Sequence, residues 1–485
     1  MVTSYYVVVF VVYMIFVFVL GTYLSRWVKS EGDFWVAGRS LNGFVGGCSM
    51  AATQMSAGSV IGSVGLWYGI GWAWVWVWPL ISVGYIIAVE LIGRRMQRLN
   101  YYTIPDYLEA RFGSNIPRAI AAIVITISFI AYIGAQTMAA GYIFRTLFGW
   151  PFVWGAIFFT AIYISYTILG GMFAVAYTDM VQVIVMAVGG MIAVPIIVNQ
   201  VGGLEMLNAV VHSIKSTMVG LGMPPFKLFG FFIVFGLFSM SAPQLLIRIV
   251  TVKDFRSARV AVWWAGFFNI IIITGFAVIG VGCRALFPNL ASWDLASPQI
   301  ASGVLPPLMG GLLLSALLAA MMSTTDSLLL TAGSAMAHDI YAKMINPEAT
   351  EKQKLFIGRI VSLLVGVIPF VLIFTPYFKG ALIQFIVASS VALAASTFFG
   401  PIIVGLCWTR ATKEGCIWAM ILGFIADAIW LILKKPFGIH EVLVGLTVSL
   451  LVLIIVSYNT ERTPRSQLEI IWTKEELDAK GVPAD

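Results

Sequence analysis

The sequence predicts an all-α integral membrane protein crossing the bilayer thirteen times, and three observations predict it. First, 60% of the 485 residues are hydrophobic and only 11% charged, with a mean hydropathy of +0.95; a soluble domain is about half apolar and a quarter charged. Second, the apolar runs have spanning length, roughly 20 residues each. Third, the basic residues sort by side. With the N-terminus outside, only Arg145, Lys215, Lys227, Arg284, Lys379, Lys434 and Lys435 of the 29 lie externally, leaving 22 on the cytoplasmic side. That asymmetry is the positive-inside signature. The net charge of +7 therefore reports topology and gives no reason to expect a nucleic-acid partner.

Taken in order, the first run, about 5–27, lacks a basic leader and a small-residue cleavage site, so it reads as a retained helix. The others are 43–66, 68–96, 117–147, 152–170, 177–201, 228–252, 258–284, 306–336, 357–376, 380–408, 413–433 and 439–458. A short charged tail, 459–485, is expected to be cytoplasmic and solvated. The whole chain, 1–485, forms one membrane domain. Cys48, Cys283, Cys407 and Cys416 are scattered and read as packing residues, and His212, His338 and His440 share no metal-binding spacing. Nucleotide-binding fingerprints are absent. Trp67, Trp72, Trp74, Trp76 and Trp78 cluster where aromatic rings favour the membrane interface.

Ionisable groups inside a bilayer are functional candidates by default. Glu90 lies one turn from Arg94 and Arg95, which suggests a structural ion pair, and Asp427 has no polar neighbours on its own helical face. Asp179 and Asp326 differ, because both sit among hydroxyls. In "MMSTTDSLLL" (321–330) and its flanks, about 100° per residue puts Ala320, Ser323, Thr324, Ser327, Thr331 and Ser334 within an arc of about 100°, with Asp326 beside it. Such an oxygen stripe suits a hard cation; its bland alternative is hydroxyls bonded to their own i−4 carbonyls or joining helices. More oxygens would come from "GGCSMAATQMSAGSVIGS" (46–63), whose Gly, Ala and Ser content favours unwinding around 52–58 and frees main-chain carbonyls. Irregular backbone at membrane depth is tolerated only where it is enclosed or lines a cavity. "GLFSMSAPQLLIR" carries a matching interruption at Pro243. Paired breaks heading two five-span sets, 43–201 and 228–408, point to inverted repeats around a midplane site. Residues 1–27 then form an additional helix, and 413–458 two more.

"GRSLNGFVGGCSMAATQMSAGSVIGSVGLWYGIGW" (38–72), "GGMFAVAYTDMVQVIVMAVGG" (170–190) and "LLLSALLAAMMSTTDSLLLTAGSAMAHDIY" (312–341) together resemble the sodium/solute symporter family, whose members carry proline, pantothenate, monocarboxylates, sialic acid, sugars or choline. The resemblance extends over about 5–460 and implies a leucine-transporter-type fold of two inverted five-helix repeats. It further implies sodium as the coupling ion, held by the carbonyls of Ala52, Met55 and Ala320 and the hydroxyls of Ser323 and Thr324. A second ion site is implied at Asp179, Asp326 and Ser327, where Asp326 departs from the Ser of the sialic acid type. Its role as sodium ligand, protonatable group or partner of a cationic solute stays open. The substrate positions implied are Gln54, Ser56, Tyr132, Gln136, Phe235 and Ser239, with no Arg or Lys at the midplane.

The function these readings imply is sodium-coupled symport of a small organic solute, such as proline, pantothenate or a monocarboxylate, across the cell membrane by alternating access. The lipid bilayer is the surrounding partner, and no oligomer is required. Proton coupling on the same fold is the alternative. An intramembrane aspartyl protease lacks its glycine-flanked motif in "TTDSLLL", and an uncoupled channel is the remaining rival.

Overall fold

The computed structural model describes residues 4–99, 101–376, 378 and 381–483. Lys379, assigned above to the outside, and position 380, the expected start of a span, lie outside them. Among the described residues every named element is helical, and the single β contact is an isolated bridge between Leu41 and Val252.

The chain opens with α1 (Ser4–Leu24) and a short α2 (Glu31–Val36). Then α3 (Gly43–Gln54) begins where the Asn42 side chain accepts the Val45 N–H at 2.9 Å. After a π-helical turn at Gly58–Gly62 come α4 (Ser63–Ile70), α5 (Pro79–Ala88), α6 (Arg94–Leu99), α7 (Ile104–Phe112), α8 (Asn115–Phe148), α9 (Phe152–Val201) and α10 (Leu204–Ile214). The second half holds α11 (Pro225–Ser241), α12 (Pro243–Thr251), α13 (Phe255–Leu286), α14 (Ala296–Gly303) and α15 (Pro307–Ser334). It closes with α16 (Glu351–Leu372), α17 (Ile383–Phe398), α18 (Gly405–Cys407), α19 (Lys413–Ile432), α20 (Glu441–Asn459) and, in the tail, α21 (Arg465–Leu468) and α22 (Lys474–Ala479).

Eleven helical stretches among the described residues are long and apolar enough to cross a membrane, against the thirteen expected. The difference lies in two composite stretches, Gly58–Leu99 and Phe152–Val201, of 42 and 50 residues. At 1.5 Å per residue, 50 residues run about 75 Å, more than twice the hydrocarbon thickness. Inside α9 the chain is divided at Gly171 (φ 52°, ψ −149°), a conformation denied to residues with a Cβ, and an added Cβ would lie 2.6 Å from the Phe34 carbonyl. The shorter composite is divided by the 3₁₀ stretch Gly71–Val77 before Pro79.

Both expected helix breaks are present. The first helix stops at Gln54, and Met55 is extended (φ −82°, ψ 106°). The second break is at Ala242 (φ −65°, ψ 118°), which the following proline forces out of the helical region. The stretches Pro225–Thr251 and Pro307–Ile345 form the centre, with 83% of their 18-residue apolar segments buried, whereas Tyr6–Trp27 and Lys413–Ile432, at 33% on the same measure, line the periphery.

The tail is only partly solvated, most of its described residues being exposed while four dock it on the bundle. Leu468, Ile471, Trp472 and Leu477 are buried. Glu476 pairs with Arg95 at 3.3 Å, Gln467 donates to the Ala110 carbonyl at 2.5 Å, and the Arg111 guanidinium lies over the Trp472 ring. Sequence spacing had no means of showing the apolar seat that these side chains fill. Nearby, Arg118 bridges Asp106 (2.7 Å) and Asp339 (2.6 Å), and His338 meets Glu31 at 2.6 Å. Burial opposes ionisation of Asp106, but its hydrogen bond to His338 and the Arg118 charge hold its carboxyl below the usual range. His338, expected in isolation, thus joins a buried ion network at one end of the bundle.

Gly171→Ala is expected to cost about 2 kcal/mol or more through backbone strain alone. A clear fall in the thermal unfolding midpoint of the detergent-purified protein checks this, and an unchanged midpoint contradicts it.

Candidate functional site

The two hydroxyls singled out in α15 face the broken end of α3. Ser323 Oγ donates to the Ala52 carbonyl at 2.8 Å and lies 3.2 Å from the Ala320 carbonyl. Thr324 Oγ1 lies 2.9 Å from the Thr53 carbonyl and 3.0 Å from that of Met55. All of these residues are buried. Six oxygens from two helices therefore converge, none from a carboxylate. A neutral all-oxygen set fits a singly charged hard cation, since a divalent one usually draws carboxylates.

The next group along is organised by a residue the sequence reading placed in the cytoplasmic set. Arg248 is fully buried in α12. Its Nη2 donates to Ser327 Oγ at 2.5 Å and lies 3.7 Å from Asp179 Oδ2, and its Nε reaches Ser49 Oγ at 3.3 Å. Ser49 in turn donates to Asp179 Oδ2 at 2.6 Å. Asp179 and Ser327 are thus brought together, but around a guanidinium. Asp326 points elsewhere, accepting from Thr167 Oγ1 at 2.7 Å and from the Tyr166 hydroxyl. The sequence reading did not foresee a buried arginine inside a spanning stretch, although Arg248 is not among the residues lining the cavity beside the first break. The available signal was an arginine inside the apolar run "LLIRIVT", ahead of the loop charges from Lys253 onward.

A nearly closed gap of about 10 Å³, room for no more than about one water, lies beside the first break, lined by Gln54, Ser56, Tyr132 and Phe235 of the expected residues. Ser59, Val77, Trp78 and Gln384 line it too and were not foreseen. Gln136 and Ser239 are outside this lining. Gln136 Oε1 accepts the Ala57 N–H at 2.7 Å and so supports the unwound segment, while Ser239 Oγ is bonded to the Gly236 carbonyl at 2.7 Å. The Gly58 N–H is held by Ser56 Oγ at 3.1 Å and the Ser56 N–H by Ser59 Oγ at 3.2 Å. Tyr85 reaches in to donate to Gln54 Oε1 at 2.8 Å.

Several other expectations change. Trp67 and Trp74 are buried, Trp67 stacks on the cavity residue Trp78, and of the five only Trp76 is largely exposed. Glu90 pairs with Arg259 at 2.7 Å in place of its helical neighbours, because α13 packs alongside. Asp427 does have a polar neighbour, supplied by another helix: Ser396 Oγ donates to it at 2.7 Å.

A multi-pass helical bundle with two broken helices at its centre, an oxygen cage at one break and a cavity beside it defines a membrane carrier. The chain belongs to the sodium:solute symporter family, whose profile matches residues 34–423. It is therefore a transporter and not an enzyme, and sodium-coupled movement of a solute is its class of activity. It is 27% identical over 483 residues to the osmoregulated proline transporter OpuE of Bacillus subtilis (strain 168), covering 96% of this chain and 97% of that one. Its fold is similar to a substrate-bound, outward-open Na⁺-coupled sialic acid symporter (TM-score 0.84, 18% identity, 94% and 98% of the two chains). It is also similar to the nucleobase-cation-symport-1 transporter Mhp1 in a closed conformation (TM-score 0.56, 17% identity, 90% and 97% covered).

Arg248→Met leaves Asp179 buried without its cation, a change of about 3–5 kcal/mol. Thermal unfolding in detergent should show a large loss that the double variant Arg248→Met, Asp179→Asn partly restores. Strictly additive losses contradict the pairing.

Proposed function

We propose that this chain couples the inward movement of one Na⁺ to uptake of a small zwitterionic amino acid, proline being the first candidate, across the cell membrane. The carrying observation is the convergence of the Ala52, Met55 and Ala320 carbonyls with the hydroxyls of Ser323 and Thr324. In this reading those groups hold the sodium. The reading divides each composite helix in two, giving thirteen crossings with the N-terminus outside, and takes 43–201 and 228–408 as inverted repeats.

The cavity chemistry supports a zwitterion over pantothenate or a monocarboxylate. Among the described residues no Lys or Arg lines the cavity to meet a lone carboxylate. The amides of residues 56–58 are held only by side-chain oxygens that a carboxylate can replace. Trp78, Tyr132 and Phe235 offer aromatic faces suited to a cationic nitrogen. Gln54 and Ser56 orient the solute, Gln136 positions the unwound segment, and Ser239 is a neighbour without contact.

Bound sodium ties α3 to α15 and so favours the state in which the cavity is complete. Solute and ion then strengthen each other's binding by the same factor. One charge crossing ~100 mV releases ~2.3 kcal/mol, about 50-fold in solute ratio. The stoichiometry follows from Arg248, a fixed cation between Asp179 and Ser327 where a second ion would otherwise sit.

Uptake of radiolabelled proline into proteoliposomes with imposed gradients tests the reading. Ser323→Ala and Thr324→Ala should each raise the sodium concentration for half-maximal uptake about tenfold, with Ser334→Ala unchanged. Uptake indifferent to sodium rules the reading out. The ratio of charge to solute flux is expected to be one, and a ratio of two contradicts the role given to Arg248.

A further inference from the structure

A second cavity, of about 590 Å³, opens at the opposite end of the bundle from the docked tail. The long helix α8 spans the distance: its start follows Gly113, where Gln467 of the tail packs, and Arg145, near its far end, lines the cavity. The volume is within the usual range for small-molecule sites. Ile61, Tyr142, Ser292, Asp294 and Ile383 also contribute to the wall.

Asp294 is the feature that needs explanation. Its residue is 9% exposed and lies in a short turn, Trp293–Leu295, outside the spanning helices. One carboxylate oxygen, Oδ2, accepts the Ile383 N–H at 3.2 Å and so holds the first turn of α17. The other, Oδ1, is buried with no hydrogen-bond partner among the described residues. Capping the helix requires one oxygen, and an amide or hydroxyl side chain would supply it without burying a charge. Burial raises the Asp294 carboxyl to about 6, against the pull of the Ile383 amide, so the group lacks compensation by a cation. Among the described residues Arg145 is the one cationic side chain lining this cavity, and it is exposed and forms no ion pair with Asp294.

The two cavities share a wall. Ile383 faces the outer one and Gln384 the inner; Ile61 faces the outer one and Ser59 the inner. The partition is the start of α17 against the Gly58–Gly62 turn, packed so closely that a Cβ on Gly62 would lie 2.7 Å from the Gln384 amide nitrogen. A charge held at Asp294 is therefore held at the edge of the structure that separates the cavity mouth from the solute site.

We propose that the outer cavity is an entry site for zwitterionic solutes, with the ammonium on Asp294 Oδ1 and the carboxylate toward Arg145, from which the solute passes inward when the Gly58–Gly62 turn and the start of α17 separate. The proposal rests on the zwitterionic reading of the cargo. An entry site raises the rate of productive encounter without touching the translocation step, so its loss changes KM and spares kcat.

The test is initial-rate uptake of radiolabelled proline into proteoliposomes at saturating sodium and fixed potential, for wild type, Asp294→Asn and Arg145→Gln. Asn keeps an acceptor for the Ile383 amide, and Arg145 is exposed, so the second variant decides the question even if the first does not fold. The expected result is a KM raised about tenfold in each variant, with kcat and the half-saturating sodium concentration unchanged. A KM within twofold of wild type in Arg145→Gln, or a fall in kcat at unchanged KM, overturns the entry site while leaving sodium-coupled proline uptake standing. A wild-type protein that takes up no proline overturns both.

Discussion

Main-chain carbonyls released inside a bilayer must be met by something, and that requirement governs the centre of this protein. The Met55–Ser56 stretch has left helical geometry in a buried part of a membrane protein. In the described state Ser323 and Thr324 donate their hydroxyl protons to the carbonyls at the end of α3 and at the break, those of Ala52, Thr53 and Met55. With their protons turned aside, the same two hydroxyls would offer lone pairs beside those carbonyls, which is the ion-bound arrangement under the proposed sodium reading.

The neighbouring charges are arranged by the same economy of donors and acceptors. Arg248 brings a permanent charge into a site with no solvent, which is tolerable because Asp179 neutralises it and Ser49, Ser327 and the Gln244 carbonyl take its N–H groups. It sits on α12, the helix that starts at the second break, so the oxygen cluster and the charged cluster are each tied to a discontinuity. Ser327 belongs to both neighbourhoods, lying 2.8 Å from Thr53 Oγ1 beside the cage and 2.5 Å from the guanidinium. A shift of α15 relative to either half-helix is felt at both.

Much of this was legible from residue chemistry. Hydroxyls on one face of a segment otherwise suited to lipid announced the Ser323–Thr324 face, and a run of Gly, Ala and Ser, or a mid-helix proline, announced the breaks. What could not be read was what depends on a partner from a distant part of the chain. Arg248 resembled a loop residue because its acid, Asp179, lies on α9; Asp326 was grouped with Asp179 by the family resemblance, yet Tyr166 and Thr167 draw it away. Gln136 holds the distant Ala57 amide and Ser239 a carbonyl of its own helix, roles that a positional match does not distinguish from solute contact. Trp472 looked like part of a solvated tail because the groove that buries it is formed elsewhere.

Equilibrium binding of radioactive sodium to the purified protein, without solute and without a membrane potential, addresses the oxygen cage most directly. About one saturable sodium per chain is expected, abolished when Ser323 and Thr324 are both replaced by alanine and retained in Asp326→Asn. Saturable binding that survives the double replacement would place the ion elsewhere and contradict the account.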